Sequence, residues 1–275
     1  MGKMMRFYSI LGWLAVAYMA ALFLYPLLKV VYTSVWVNGG FTLGNYVKIF
    51  STDLYSKVLL KTLWVSVLST LIALFIGYTL AYFIATRPAH KQGFWLMLII
   101  SPMFMSLTIR LFGWMILLSK EGPLARVWEG AFGGGELSLL FSQTAVVIGI
   151  VHFVLPFVVL NIYTSLNRLE PSLLEASTML GASRLRTFWQ ITFPLSLPGV
   201  FAGSSIAFAL AASTFLVPIM VGGPADTLLA NMAYNSIVTI GNLGMGAALS
   251  FVLLVIIVAV LLVMGRLERR GHIAS

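Results

Sequence analysis

Six apolar runs, each long enough to cross a bilayer as a helix, constrain this chain more than any other feature. They fall at about Phe7–Val31, Leu63–Ala85, Phe94–Leu118, Ala145–Leu166, Leu195–Met220 and Gly246–Met264. A helix needs roughly 20 residues to span the hydrocarbon core, so each run suffices. Composition agrees: of 275 residues, 60% are hydrophobic and only 9% charged, whereas a soluble surface needs about a quarter charged residues. The expectation is an all-α membrane protein with six transmembrane helices in a single domain. The first run is too long for a removed signal peptide and lacks its small-residue cleavage pattern, so it reads as a retained span. With no cysteine, disulfides and thiolate metal sites are excluded.

The net charge of +9 would suggest nucleic acid in a soluble protein, but here its distribution matters more. The N-terminus, the 86–93 loop, the 167–194 loop and the tail hold Lys3, Arg6, Arg87, Lys91, Arg168, Arg184, Arg186, Arg266, Arg269 and Arg270. The loops between them hold only Lys48, Lys57, Lys120 and Arg126, with Asp53, Glu121, Glu129, Glu136 and Asp226. The positive-inside rule places both termini in the cytoplasm, and an even number of crossings agrees.

The outer loops carry turn formers. Residues 33–56 have room for one short helix, EGP and GGGE mark turns in 119–142, and VGGPAD and GNLGMG bracket a short helix within Thr227–Ile240. Within the spans, Pro102, Pro156 and several polar residues stand out, among them His152, Asn161 and Ser204. Prolines there read as kinks, whereas polar groups in lipid need a partner or a water-filled path. Arg110, midway to two-thirds through the third run, is the costliest; it lines the path or latches a gate, or else snorkels outward. Asp226 either attracts a cationic substrate or caps the helix that follows it. Trp114, Asn231 and Tyr234 are path neighbours by position.

Residues 170–198, EPSLLEASTMLGASRLRTFWQITFPLSLP, form the best organised polar stretch. Pro171 suits a first helical turn, Leu173, Ala176 and Leu180 follow at helical spacing, and Gly181 ends the helix. Ser183 caps a second helix with Leu185, Phe188 and Trp189 on one face, which Pro194 and Pro198 then end. The product is an amphipathic elbow at the inner membrane surface. Ser172 and Glu175 also fit a capping box, so Glu175 has a local role open to it as well as a docking role.

Within that elbow, Glu175-Ala176-Ser177, three residues, Gly181, nine residues, Ile191, one residue and Phe193-Pro194 resemble the EAA signature of ABC importer permeases. Ser177 replaces the second alanine and Phe193 a leucine. SPMFMSLTIRLFGWMILLSKEGPL, FLVPIMVGGPADTLLANMAYNSIVTIGNLGMGAAL and LGNYVKIF look like segments of the spermidine/putrescine-type permeases. The resemblance implies the type I (MetI-like) permease fold, with a core of five helices around a central path. It implies two copies of a soluble ABC ATPase, a second, paralogous permease and a periplasmic substrate-binding protein. Glu175, Ala176, Gly181, Ile191 and Pro194 carry over as the residues coupling the permease to the ATPase. The substrate class it implies is a polyamine or a related amine, amino acid or opine-like compound.

The chain has no phosphate-cradling G-x-x-x-x-G-K-[ST] and no soluble segment to hold one. It therefore needs no cofactor of its own; ATP and Mg belong to the partner ATPase, and the chain is a transporter subunit rather than an enzyme. An ion-gradient-driven secondary transporter is the alternative, although such proteins usually need more spans, internal repeats and buried acids. A membrane-embedded enzyme would need His, Asp or Glu clustered at one depth, and no such set is visible.

Overall fold

The computed structural model describes residues 2–37, 39–132 and 139–273, and the GGGE stretch lies outside them. Its elements, in order, are α1 (Gly2–Val35), a two-stranded hairpin of β1 (Trp36–Val37) and β2 (Gly40–Phe41), α2 (Gly44–Ser51), α3 (Asp53–Ala85), α4 (Ala89–Ile100), α5 (Leu107–Leu118) and α6 (Pro123–Phe132). There follow α7 (Gln143–Leu166), α8 (Pro171–Met179), α9 (Arg184–Thr187), α10 (Phe193–Ser213), α11 (Leu216–Val221), α12 (Leu229–Tyr234) and α13 (Leu243–Ile273). Among the described residues, five helices are long and apolar enough to cross a membrane, or six with one bent pair counted as a span.

The core is the trio α3, α7 and α10, which pack pairwise. Lipid tails are as apolar as leucine, so helices associate in a bilayer through close packing rather than through flight from water. Small residues supply that closeness. Gly199, Gly203, Ala207 and Ala211 recur every fourth position on the buried face of α10. A Cβ at Gly199 would lie 2.6 Å from the Asn161 carbonyl and 2.7 Å from Ser165 Cβ on α7. On α3, Thr62, Ser66 and Thr70 are buried, and each hydroxyl donates to the carbonyl four residues back, which satisfies them inside a hydrophobic helix. The Thr62 hydroxyl also accepts the Leu229 N–H at 2.9 Å, filling one of the open donors at the start of α12.

A second apolar cluster joins α2, α10, α12 and α13 around Ile49, Phe208, Leu229 and Leu249. Helix α1 lies along α13, yet its described side chains remain largely exposed, Trp13 and Phe23 among them.

The apolar run Phe94–Leu118 is not one straight span. Helix α4 passes into a 3₁₀ turn, Ser101–Phe104, and the helices on either side of the break bend by 98°. Pro102 has no N–H to continue the helical ladder, and its ring crowds the carbonyl one turn back. The run Leu195–Met220 is also interrupted: α10 stops at Ser213, Thr214 is extended, and α11 begins anew at Leu216. The short helix placed within Thr227–Ile240 covers only Leu229–Tyr234 before passing into a π-helical turn, Asn235–Thr239.

Candidate functional site

Two regions gather the residues singled out by sequence: the elbow between α7 and α10, and the segment from α10 to α13 with the facing wall of α5.

The elbow folds by local rules. Helix α8 ends at Gly181, which adopts φ +77°. There Gly181 N–H donates to the Thr178 carbonyl and Ala182 N–H to the Ser177 carbonyl, both at 3.0 Å. This left-handed closure consumes two carbonyls that a helix end leaves open. Ser183 caps α9, its hydroxyl accepting from Arg186 N–H at 3.3 Å. The capping box at Ser172 does not form: Ser172 Oγ donates to Glu170 Oε2 instead, and residue 170, the N-cap, makes no side-chain cap. Glu175 is therefore exposed on α8, beside Ala176.

Neither Pro194 nor Pro198 ends the second helix of the elbow; both lie within α10. A π turn, Phe188–Thr192, carries α9 straight into α10, with Phe193 N–H donating five residues back to the Phe188 carbonyl. Pro194 cannot donate to the Gln190 carbonyl, and the wider turn before it absorbs the mismatch. Ile191 sits half-buried in that turn and Pro194 is exposed in the first turn of α10. Phe188 packs edge-on against Tyr78 and Tyr82 of α3 at 5.9 and 5.3 Å, so α9 is anchored to the bundle. Buried Ser177, a position the motif gave no reason to single out, joins the two halves: its Oγ donates to the Leu174 carbonyl and lies 3.0 Å from the Thr187 hydroxyl. Alanine, the motif's usual residue, could not do this. Met179 and Leu180 at the tip are almost fully exposed, at 89% and 87%.

In the other region, Arg110 and Trp114 stand on α5 facing α7. The Arg110 guanidinium lies 5.9 Å from the Phe153 ring, and Trp114 meets His152 edge-on at 5.6 Å. Arg110 Nε and Nη1 are buried without a hydrogen-bond acceptor among the described residues. His152, one of the polar residues that stand out within the spans, is thus brought to the wall that holds Arg110.

Asp226 does not cap α12. Its Oδ2 accepts from Gly223 N–H at 3.1 Å, closing the 3₁₀ turn Pro224–Asp226 to which it belongs. Its Oδ1 accepts from Lys61 Nζ at 2.6 Å, and Lys61 also donates to the Ala225 carbonyl at 2.7 Å. Lys61, on α3, was missed because no local pattern relates it to Asp226. Asn231 Nδ2 donates to the Phe215 carbonyl at 2.9 Å, while Asn231 Oδ1 has no partner among the described residues. Tyr234 stacks on Phe215 with ring centroids 4.9 Å apart. Asn231 and Tyr234 both line an open cleft of about 430 Å³ walled by α11, the 222–227 turn and α12.

This architecture has clear relatives. The chain is 35% identical over 271 residues, covering 95% of it and 96% of the relative, to the spermidine/putrescine transport system permease protein PotB of Escherichia coli (strain K12). It is 32% identical over 241 residues, 82% of it and 76% of the relative, to the inner membrane ABC transporter permease protein YdcU of the same organism. Its fold is similar, with a TM-score of 0.83 at 17% identity, to a chain of a bacterial ABC transporter involved in the import of the acidic polysaccharide alginate, covering 98% of this chain and 96% of that one. The long broken-helix bundle with an exposed elbow is thus the type I ABC importer permease fold. The family description "binding-protein-dependent transport system inner membrane component" matches residues 77–272. The chain belongs to this family of ABC importer permeases, which are transporter subunits rather than enzymes.

Proposed function

We propose that this chain forms one half of the translocation path for a small polyamine, spermidine, putrescine or a close relative. The observation that carries this is the 35% identity to PotB along nearly the whole of both chains. The other half of the path is a paralogous permease, and a periplasmic binding protein delivers the substrate. Two soluble ATPase subunits, holding ATP and Mg, sit beneath. Both termini face the cytoplasm, a reading supported by the concentration of Lys and Arg on that side.

The elbow takes up the motor's movement. Glu175, Ala176 and the bare apolar tip at Met179 and Leu180 offer a docking face, Gly181 sets its angle, and Ile191 and Pro194 sit where the elbow joins α10. Because the π turn makes α9 and α10 one continuous rod, a push on the elbow tilts the span directly. A packed interface of this kind switches between discrete arrangements rather than bending smoothly. Arg110 and Trp114 act as gate residues on α5, and the Lys61–Asp226 pair holds the outer end of α3 against the segment after α11. Asp226 thereby serves the scaffold and not the substrate.

Vesicles carrying the assembled importer test this: labelled putrescine should accumulate only with enclosed ATP and loaded binding protein. Uptake by this chain alone without ATP would remove the importer reading, and ATP-dependent uptake that excludes all amines would remove the substrate.

A further inference from the structure

We infer that the cleft between α11, the 222–227 turn and α12 is a transit subsite for the ammonium group of an alkylamine, its N–H donating to Asn231 Oδ1 and its charge lying against the Tyr234 ring. The inference rests on the amine-importer reading above and gives it a place in the chain.

Four observations converge. The first is an orphan acceptor: Asn231 is 7% exposed and lines the cleft, its Nδ2 is committed to the Phe215 carbonyl, and its Oδ1 has no partner among the described residues. Buried polar atoms are nearly always satisfied, so an unmatched oxygen on a residue that lines a cleft suits a donor brought in by a ligand. Second, several donors on the cleft wall are already used within the chain, the Asn235 amide and the Tyr234 hydroxyl excepted. Gly222 N–H donates to the Pro218 carbonyl, Gly223 N–H to Asp226 Oδ2 and the Thr227 hydroxyl to the Pro224 carbonyl; the two prolines have no N–H. The two donors that remain are neutral, so the wall suits a cationic donor better than an anion.

Third, Tyr234 lines the cleft with Phe215 stacked behind it, and an aromatic face attracts an ammonium through its quadrupole. Fourth, no Lys, Arg or His lines the cleft, while the nearby carboxylate, Asp226, is already matched by Lys61 and Gly223 N–H. The site thus attracts a cation without offering it a free negative charge. A transport path needs that balance, since each stop must bind well enough to be entered and weakly enough to be left.

The test uses the assembled importer in vesicles, with labelled putrescine as probe. Asn231→Leu and Tyr234→Leu should each raise the KM for uptake about five- to tenfold, the loss expected for one hydrogen bond or one cation–aromatic contact. Tyr234→Phe keeps the ring and should stay within about twofold of the parent. An unchanged KM in both leucine variants, with amine uptake intact, overturns the subsite and leaves the importer reading standing. Parent vesicles that exclude amines overturn both. A second measurement does not depend on transport. The chain has no cysteine, so Ile219→Cys places one thiol in this subunit at the cleft wall. Putrescine should slow its alkylation by a maleimide in the assembled complex, and glycerol should not. Equal rates with and without putrescine overturn the proposal even if the leucine variants fail to assemble.

Discussion

Lys61 and Asp226, separated by 165 positions in the chain, meet with Nζ 2.6 Å from Oδ1. The contact fastens α3 to the turn between α11 and α12, and a second bond from Lys61 to the Ala225 carbonyl makes it a two-point clasp. The side chains are 24% and 11% exposed, between a surface pair and a fully buried one. Breaking a buried pair costs about 3–5 kcal/mol, and the partial exposure here reduces that to about 2. Lys61→Met should lower the Tm of the purified protein accordingly. The double variant Lys61→Met with Asp226→Asn should recover most of the loss, because an asparagine oxygen still accepts from Gly223 N–H. A single variant that melts with the parent would show the clasp to be idle.

The α7–α10 seam makes a sharper demand. Gly199→Ala places a methyl group against a backbone carbonyl that cannot move aside and should destabilise by about 1–3 kcal/mol through overpacking. Gly113, on α5, has open space where its Cβ would sit, so Gly113→Ala should be tolerated. Melting curves of the two variants in detergent discriminate, and equal Tm values would mean that the seam is looser than its geometry.

At the elbow, stability and coupling should separate. Gly181→Val forces a branched side chain into φ +77°, at a cost of about 1–2 kcal/mol, whereas Gly181→Asn suits that region better. Co-purification of the ATPase should fall for valine and persist for asparagine. Glu175→Lys alters an exposed position and should leave stability within about 0.5 kcal/mol of the parent while reducing both ATPase retention and ATP-driven uptake. Normal uptake by Glu175→Lys would remove the elbow from the coupling path.

Arg110 offers the reverse pattern. Arg110 sits in the first turn of α5, where the helix dipole disfavours a cation, and its Nε and Nη1 have no acceptor among the described residues. Arg110→Met should therefore hold or raise the Tm of the purified chain, yet lower uptake by the assembled importer. A clear drop in Tm would mean that the guanidinium stabilises this chain by itself.

Several of these features are readable without coordinates because their causes are local. The apolar runs mark the bundle, since a bilayer enforces length and polarity on every helix that crosses it. Gly181 and Ser183 announce the elbow's closure and cap because φ sterics and open helix ends act within four residues. The same local logic overreached where several local options compete. Ser172 had Glu170 as well as Glu175 within reach and bonded the former, and Pro194 was absorbed by a π turn instead of stopping its helix.

A multi-span α-helical permease with a polar elbow is legible from residue order alone, because hydropathy, backbone sterics and a gapped motif are properties of neighbouring residues. Only the tertiary structure decided that Lys61 neutralises Asp226, that α5 faces α7 with Arg110 beside Phe153, and that Asn231 is left with an unmatched oxygen in a cleft. Those relationships depend on which helices lie side by side. In a bilayer that choice rests on the fit of small residues such as Gly199 and Gly203 against α7, and no single stretch of chain contains both halves of that fit.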